Sequence, residues 1–160
     1  TTLMYRYNVA TNTWSALTSA PSATGPGTVI SRIGRTIYLF RANFSGDMYK
    51  YNMDTNAWTE LSGAPMSAAS YESFGGGDGT RYIYLAAHDR NVDHPRRFFR
   101  YDSQTDTWLR IADIPTTPLY GASAIWDPVR SQLVVAAGMQ SPRLWRWQPG
   151  ATGPLIAGPP

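Results

Sequence analysis

One eight-residue pattern recurs three times in this chain of 160 residues. YNVATNTW begins at residue 7, YNMDTNAW at residue 51 and YDSQTDTW at residue 101, so the intervals are 44 and 50 residues. In every copy an aliphatic residue lies three places after the tryptophan, and a proline lies seven places after it. A fourth, degenerate copy places Trp147 at the tyrosine position and Pro154 at the tryptophan position. Such a recurrence predicts an array of similar supersecondary units.

The segments before each octet predict three strands in succession. At the start of each octet two aromatic residues flank a cation, as in Tyr5-Arg6-Tyr7. This alternation predicts a strand, with the two rings on one face and the cation on the other. Buried strands are expected at 36–40, 82–87 and 132–138, and weaker ones at 27–33, 68–74 and 121–126. Hairpin turns are expected at 34–35, 75–79 and 127–131. The octet then supplies a turn into a fourth strand, and no helical periodicity interrupts this order.

Four-stranded antiparallel units of this length are typical of β-propeller blades. The octets resemble the kelch repeat at Tyr7, Thr11 and Trp14, at Tyr51, Thr55 and Trp58, and at Tyr101, Thr105 and Trp108. The expected fold class is therefore all-β, a β-propeller of kelch-like four-stranded antiparallel blades, with about three and a half blades in this chain. The glycine pair usual in kelch blades is absent, because Phe40-Arg41, Ala86-Ala87 and Ala137-Gly138 occupy its places.

The repeat divides the chain into a half blade at 1–21 and whole blades at 26–65, 67–115 and 120–160. The half blade holds only the third and fourth strands, which would leave its third strand with an unpaired edge. Repeat units are stable only when neighbours cover their apolar faces. We therefore expect further blades as partners, either from the same longer chain, of which this would be a fragment, or from a second copy.

The recurring rings are expected to be structural. In kelch-like blades they pack between neighbouring blades, and the resemblance assigns this role to Tyr7, Trp14, Tyr51, Trp58, Tyr101, Trp108 and Trp147. An exposed aromatic stripe that stacks on sugars is the alternative.

The stretch HDRNVDH at 88–94 is the most distinctive loop of the sequence. Loops on a rigid scaffold often carry function, so a ligand or partner contact is one interpretation and a solvated loop is the other. Two histidines and two aspartates could ligate a divalent metal, but their spacing matches no known motif and we predict no metal. The candidate binding residues are His88, Asp89, Arg90, Asp93, His94 and Arg96.

Composition excludes several classes of function. The chain has no cysteine, which removes disulfides, thiolate metal sites and a cysteine nucleophile. The net charge of +3 comes without a basic run, so no nucleic-acid partner is expected. No apolar run is long enough for a membrane span. No nucleophile, base and orienting group occur together, so we predict no catalytic residue and no cofactor.

These observations favour a non-catalytic propeller that binds a protein or a glycan, or that serves structural assembly. One alternative is a virion or phage tail protein with a kelch-like receptor-binding propeller. Another is a sugar-modifying, epimerase-like enzyme on a kelch propeller, which the resemblance allows. Without cysteine, the chain suits an extracellular, virion or cytoplasmic location equally.

Overall fold

The chain forms antiparallel sheets throughout the part that the structure describes. The computed structural model describes residues 1–42, 44–66, 73–87, 97–111, 113, 121–138 and 143–149, and the backbone of 156–157. Every strand pairing within these ranges is antiparallel. The same ranges contain no helix, and hence none that could cross a membrane. The expected all-β class is confirmed.

The first sheet has two strands and the other three sheets have four each. The first pairs β1 (Met4–Asn8) with β2 (Thr13–Leu17). The second contains β3 (Val29–Ile33), β4 (Thr36–Phe40), β5 (Met48–Asn52) and β6 (Ala57–Leu61). The third contains β7 (Phe74–Gly77), β8 (Tyr82–Ala87), β9 (Arg97–Asp102) and β10 (Thr107–Arg110). The fourth contains β11 (Ser123–Asp127), β12 (Gln132–Ala136), β13 (Leu144–Trp147) and β14 (Ile156–Ala157). Neighbours in each sheet follow chain order, as hairpin connections require.

The four-stranded sheets meet through their first strands and their faces. β7 contacts both β3 and β11, so the three first strands lie side by side. Between the second and third sheets lie two apolar clusters, one around Phe40 and Leu85 and one around Tyr38 and Tyr101. A further cluster between the third and fourth sheets includes Tyr84, Phe98, Leu133, Trp145 and Trp147. Each large side chain buried there contributes about 1.5–3 kcal/mol of transfer free energy.

The glycine-rich stretch 75–79 departs from its predicted role as a hairpin turn. Gly75, Gly76 and Gly77 belong to β7, and the turn follows them. The Asp78 carboxylate accepts the backbone N–H groups of the next residues, Thr80 and Arg81 at 2.8 Å and Tyr82 at 3.0 Å. The aspartate therefore forms the turn, while the glycines allow β7 to approach its neighbours closely. Of the strand predicted at 68–74, residues 68–72 lie outside the described residues.

Candidate functional site

The turn inside each octet has one construction. The tyrosine hydroxyl donates to the residue five places later, from Tyr7 to Asn12 Oδ1 at 2.6 Å, from Tyr51 to Asn56 Oδ1 at 2.7 Å and from Tyr101 to Asp106 Oδ1 at 2.7 Å. The accepting residues have φ of 53°, 54° and 54°. Asn and Asp tolerate this left-handed conformation better than other side chains. The position therefore requires both a turn former and an acceptor.

The octet's first turn residue also binds backbone. Asn8 Oδ1 accepts the N–H of Ala10 at 3.0 Å, and Asn52 Oδ1 accepts the N–H of Asp54 at 2.8 Å. Asp102 Oδ1 accepts the N–H of Gln104 at 3.0 Å. Asn and Asp commonly form such bonds to nearby backbone, and here the bonds stabilise the turn that the octet was predicted to supply.

The tryptophan of each octet packs on the tyrosine across the strand pair. Ring centroids lie 5.0 Å apart for Tyr7 and Trp14, 5.1 Å for Tyr51 and Trp58, and 5.0 Å for Tyr101 and Trp108. Tilted rings at this separation contribute stabilisation in addition to that from the burial of their apolar surface. We call the tyrosine, the Asn or Asp and the tryptophan of one octet a backbone clamp.

The clamp of the second sheet holds the end of β2. Trp58 Nε1–H donates to the carbonyl oxygen of Thr18 at 3.0 Å. Asn56 Oδ1 accepts the backbone N–H of the same residue at 3.0 Å. Both backbone groups of Thr18 are thus satisfied by a neighbouring sheet, which fixes the register of one sheet against the next.

The clamp of the third sheet holds the end of β6 in the same way. Trp108 Nε1–H donates to the carbonyl oxygen of Ser62 at 2.8 Å. The Asp106 carboxylate accepts the Ser62 backbone N–H at 3.1 and 3.2 Å and the Ser62 hydroxyl at 3.0 Å. Because Ser62 follows Trp58 by the same four residues as Thr18 follows Trp14, the contact repeats with the sequence.

The clamp of the first sheet is exposed. The Tyr7 side chain is 42% exposed and that of Trp14 is 69% exposed, whereas Tyr51 and Tyr101 are buried. Within the described ranges, no strand end from another sheet binds Asn12 or Trp14. No sheet of the described residues packs on that face of β1 and β2, which leaves the rings exposed.

The fourth sheet carries Trp147 at the tyrosine place. Trp147 is buried and its ring lies 4.8 Å from Tyr84 and 5.1 Å from Phe98 between centroids. Its Nε1 has no hydrogen-bond partner among the described groups. The two remaining places of this octet, Thr152 and Pro154, lie outside the described residues, and a proline has no N–H to donate.

A groove runs between β1 and the second sheet. Its larger cavity has a volume of about 320 Å³ and its walls include Leu3, Tyr5, Ile30, Ile37 and Leu39. A second cavity of about 180 Å³ lies between β1 with Leu17 of β2 and the residues Arg35, Ile37, Tyr51 and Met53. Met4, Tyr5 and Ile37 line both cavities.

Ion pairs support the turns of this scaffold. Arg81 donates to Asp102 through Nε at 2.9 Å and through an Nη at 2.6 Å. This guanidinium, followed by turn N–H groups, lowers the pKa of the Asp102 carboxyl to about 2. The bidentate geometry is the favourable one for Arg and a carboxylate. Arg100, which the sequence places between two rings, stacks its guanidinium 4.3 Å from the Tyr82 ring centroid.

Burial perturbs two tyrosines in the core. Burial raises the pKa of Tyr84 to about 12. Burial, followed by the hydrogen bond to Asp106, also raises the pKa of the Tyr101 hydroxyl. Both groups stay protonated at neutral pH and act as packing and hydrogen-bonding groups.

A smaller cavity of about 160 Å³ lies at one end of the first strands, between Thr28, Ser73 and Ser123.

The candidate loop residues His88, Asp89, Arg90, Asp93, His94 and Arg96 lie outside the described residues. Within the described ranges, no three His, Asp or Glu side chains gather to hold a metal ion.

The residues that the sequence interpretation missed are those that join sheets. Asn56 and Asp106 lie in the turns that the octets were predicted to supply, and their side chains also accept backbone N–H groups of the preceding sheet. Thr18 and Ser62 carried no prediction. The sequence does mark the positions of Thr18 and Ser62, because a residue with a small side chain lies four places after each octet tryptophan.

Comparison with known proteins assigns no family. A scan against models of protein families gave no match, and a search of curated proteins found no significant relative.

Proposed function

We propose that this chain is part of a kelch-like β-propeller, with about three and a half blades, that acts as a non-catalytic module for assembly with further β-strands. The observation that supports this most strongly is the open edge of β1 beside an apolar groove. The remaining blades come from a longer chain or from a second copy. A protein or glycan partner is then bound by the completed scaffold.

The stacking of the sheets supports the propeller. Three sheets have the same strand order, their first strands lie side by side, and the clamps of the second and third sheets each join that sheet to the one before it. A constant relation between successive units generates either a solenoid or a ring. First strands that lie side by side, as β7 does with β3 and β11, are what blades around an axis would require, and this supports the proposal.

The edge of β1 supports strand addition. In the four-stranded sheets the third strand pairs on both sides, as β5 pairs with β4 and β6. β1 occupies the place of β5 but pairs, among the described strands, with β2 only. An open edge presents backbone N–H and C=O groups that an extended segment can satisfy.

The groove sets the chemistry of that segment. Ile30, Ile37 and Leu39 line it, so an added strand must bear apolar side chains on the face toward the second sheet. Strands β4 and β8 have this character at their equivalent places. We therefore expect the partner segment to resemble these second strands.

A synthetic peptide with the sequence of residues 35–41, RTIYLFR, tests the edge. By the register of β4 on β5, its isoleucine would lie opposite Tyr7 and its leucine opposite Tyr5. Two control peptides are N-methylated, one at the positions of Thr36, Tyr38 and Phe40 and the other at those of Ile37 and Leu39. Only alternate N–H groups of a strand face one neighbour.

We expect fluorescence anisotropy to show binding of the unmodified peptide and of one methylated peptide, and no binding of the other. Equal behaviour of the two methylated peptides, or no binding of the unmodified one, would contradict strand addition at β1. A glycan array, read for binding and for turnover, separates a carbohydrate ligand from a protein partner.

A further inference from the structure

The loop between β4 and β5 holds two residues in a backbone conformation that their side chains disfavour. Ala42 has φ of 49° and Phe44 has φ of 63°. Left-handed backbone is uncommon for residues other than glycine, asparagine and aspartate, and for a bulky side chain it is an outlier. Ala42 is fully buried, whereas Phe44 is 46% exposed, so burial within this chain offsets only part of the strain at Phe44.

Hydrogen bonds at the base of the loop hold it in this conformation. The Arg41 backbone N–H donates to the Asp47 carbonyl oxygen at 3.0 Å, and the two side chains form an ion pair at 2.6 Å. Arg41 Nε–H donates to the carbonyl oxygen of Ala23 at 3.0 Å, and the Ala64 N–H donates to that of Gly46 at 2.8 Å. Strained residues that the surrounding structure holds in this way are concentrated at ligand-binding sites.

The cavity of about 160 Å³ lies at the same end of the sheets as this loop. Val29 pairs with Phe40, so the start of β3 lies beside the end of β4, and the Thr28 hydroxyl is 2.8 Å from the carbonyl oxygen of Arg41. The cavity lies between the starts of β3, β7 and β11, and β7 has a sheet on either side. It therefore forms within the described array and uses neither of the faces at its ends.

The lining of the cavity indicates the chemistry of its ligand. All the lining residues are uncharged, and the hydroxyl-bearing Thr28, Ser73 and Ser123 lie among apolar ones. Because an uncharged lining does not compensate an ion for the water that it loses, the cavity favours a neutral polar ligand. Hydroxyls can both donate to and accept from such a ligand, and an aromatic ring can pack on its C–H groups. A sugar has both features, since hydroxyl groups surround its ring and C–H groups cover its faces.

We propose that this cavity binds a neutral sugar, which stacks on the Phe44 ring and bonds to the hydroxyls of Ser73 and Ser123. The strained loop holds the aromatic ring in place before the ligand arrives, which reduces the entropy lost on binding. The site rests on the proposed function in one respect, because it takes the ligand of the scaffold to be a glycan and not a protein.

An array of neutral glycans and their sulfated counterparts, probed with the labelled wild-type chain, tests the ligand class. We expect the neutral glycans to bind more strongly. Calorimetric titration with the neutral glycan that binds best then compares variants. We expect Phe44→Ala to weaken binding about tenfold or more and Phe44→Tyr, which keeps a ring, to retain it. We expect Ser123→Ala to weaken binding about fivefold, as the loss of one hydrogen bond implies. Val129→Ala alters an exposed residue at the far end of β11 and should bind as the wild type does.

Thermal melts separate the loss of the ring from the relief of strain. Phe44→Ala and Phe44→Gly both lack the ring, but only glycine adopts φ of 63° without strain. Phe44→Gly should therefore melt about 2–4 °C higher than Phe44→Ala, while neither variant retains wild-type affinity for the glycan.

Three results would overturn the proposal: a wild-type chain that binds no neutral glycan, glycan binding that Phe44→Ala leaves unchanged, or equal melting temperatures for Phe44→Ala and Phe44→Gly. Phe44→Ala should bind the RTIYLFR peptide as the wild type does, because β1 belongs to another sheet. Peptide binding without glycan binding would overturn this site alone, and glycan binding through Phe44 without peptide binding would overturn strand addition alone.

Discussion

Replacement of Asp106 by alanine tests the clamp against a matched control in the same chain. Asp106→Ala removes the acceptor for the Tyr101 hydroxyl and for the backbone N–H and hydroxyl of Ser62. Asn12→Ala makes the equivalent change in the first sheet, where Tyr7 is exposed and the clamp holds no strand end among the described residues. The two positions have φ of 54° and 53°, so the left-handed strain of about 1–2 kcal/mol for alanine is common to both.

The difference between the two variants therefore has two sources, the burial of the Tyr101 hydroxyl and the contact between sheets. The Tyr101 hydroxyl is buried, and leaving it without an acceptor costs about 1–3 kcal/mol. Loss of the Ser62 bonds, which are exposed, adds about 0.5–1.5 kcal/mol. We expect Asp106→Ala to lower the free energy of unfolding by about 1.5–4.5 kcal/mol more than Asn12→Ala does.

Urea unfolding followed by tryptophan fluorescence measures both variants, at a concentration low enough for the chain to be monomeric. Asp106→Asn should recover most of the loss, because Asn56 performs the same role in the second sheet. Equal losses for the two alanine variants would refute the inference that Asp106 joins two sheets.

Three further predictions concern β7, acid and alkali. Gly75→Ala should be strongly destabilising in a thermal melt, because its Cβ would clash with the backbone carbonyl oxygen of Tyr84. Gly77→Ala should cost less, because the one severe clash of its Cβ is with the rotatable hydroxyl of Ser31, while the Ser31 Cβ and the Tyr82 carbonyl oxygen lie at 3.3 and 3.4 Å. In NMR titrations Arg81→Gln should raise the pKa of Asp102 from about 2 toward the usual value near 3.9. The stabilisation from Asp102 is fully present above that usual pKa and disappears as the pH falls through about 2. The Arg81→Gln variant should therefore be less stable than the wild type above about pH 4 and should begin to unfold at a higher pH on acidification. An unchanged acid transition would contradict the pairing. In absorbance titrations Tyr84→Phe should remove one tyrosine that ionises near pH 12; its stabilisation is full below pH 10 and is lost as the pH rises through about 12.

The sequence predicted the sheets because their signals are local. Alternating rings and cations, the apolar runs and the octet turns identified strands near the positions where they are observed, from β3 (Val29–Ile33) to β13 (Leu144–Trp147). The turn at 75–79 was wrong because a run of glycines is compatible with both a turn and a strand. Only the bonds of Asp78 and the close approach of Gly75 to β8 decide between them.

The contacts between sheets could not be predicted in the same way. Asn56 and Asp106 are turn residues by local criteria, and their bonds to Thr18 and Ser62 link residues 38 and 44 places apart. Such pairs form only after the sheets stack. The exposure of Trp14 could not be predicted for the same reason, since its sequence context matches that of the half-buried Trp58, and the two differ in that Trp58 binds Thr18 of another sheet whereas no described sheet packs on Trp14.

The indole N–H groups of a ¹⁵N-labelled, dilute monomeric sample test the joining of sheets by the clamps most directly. We expect the Nε1–H protons of Trp58 and Trp108 to exchange with water about five- to tenfold more slowly than that of Trp14, since the first two donate to backbone carbonyl oxygens at 3.0 and 2.8 Å and the third has no such acceptor in the described structure. Equal exchange rates for all three indoles would show that the recurring tryptophan does not join successive sheets.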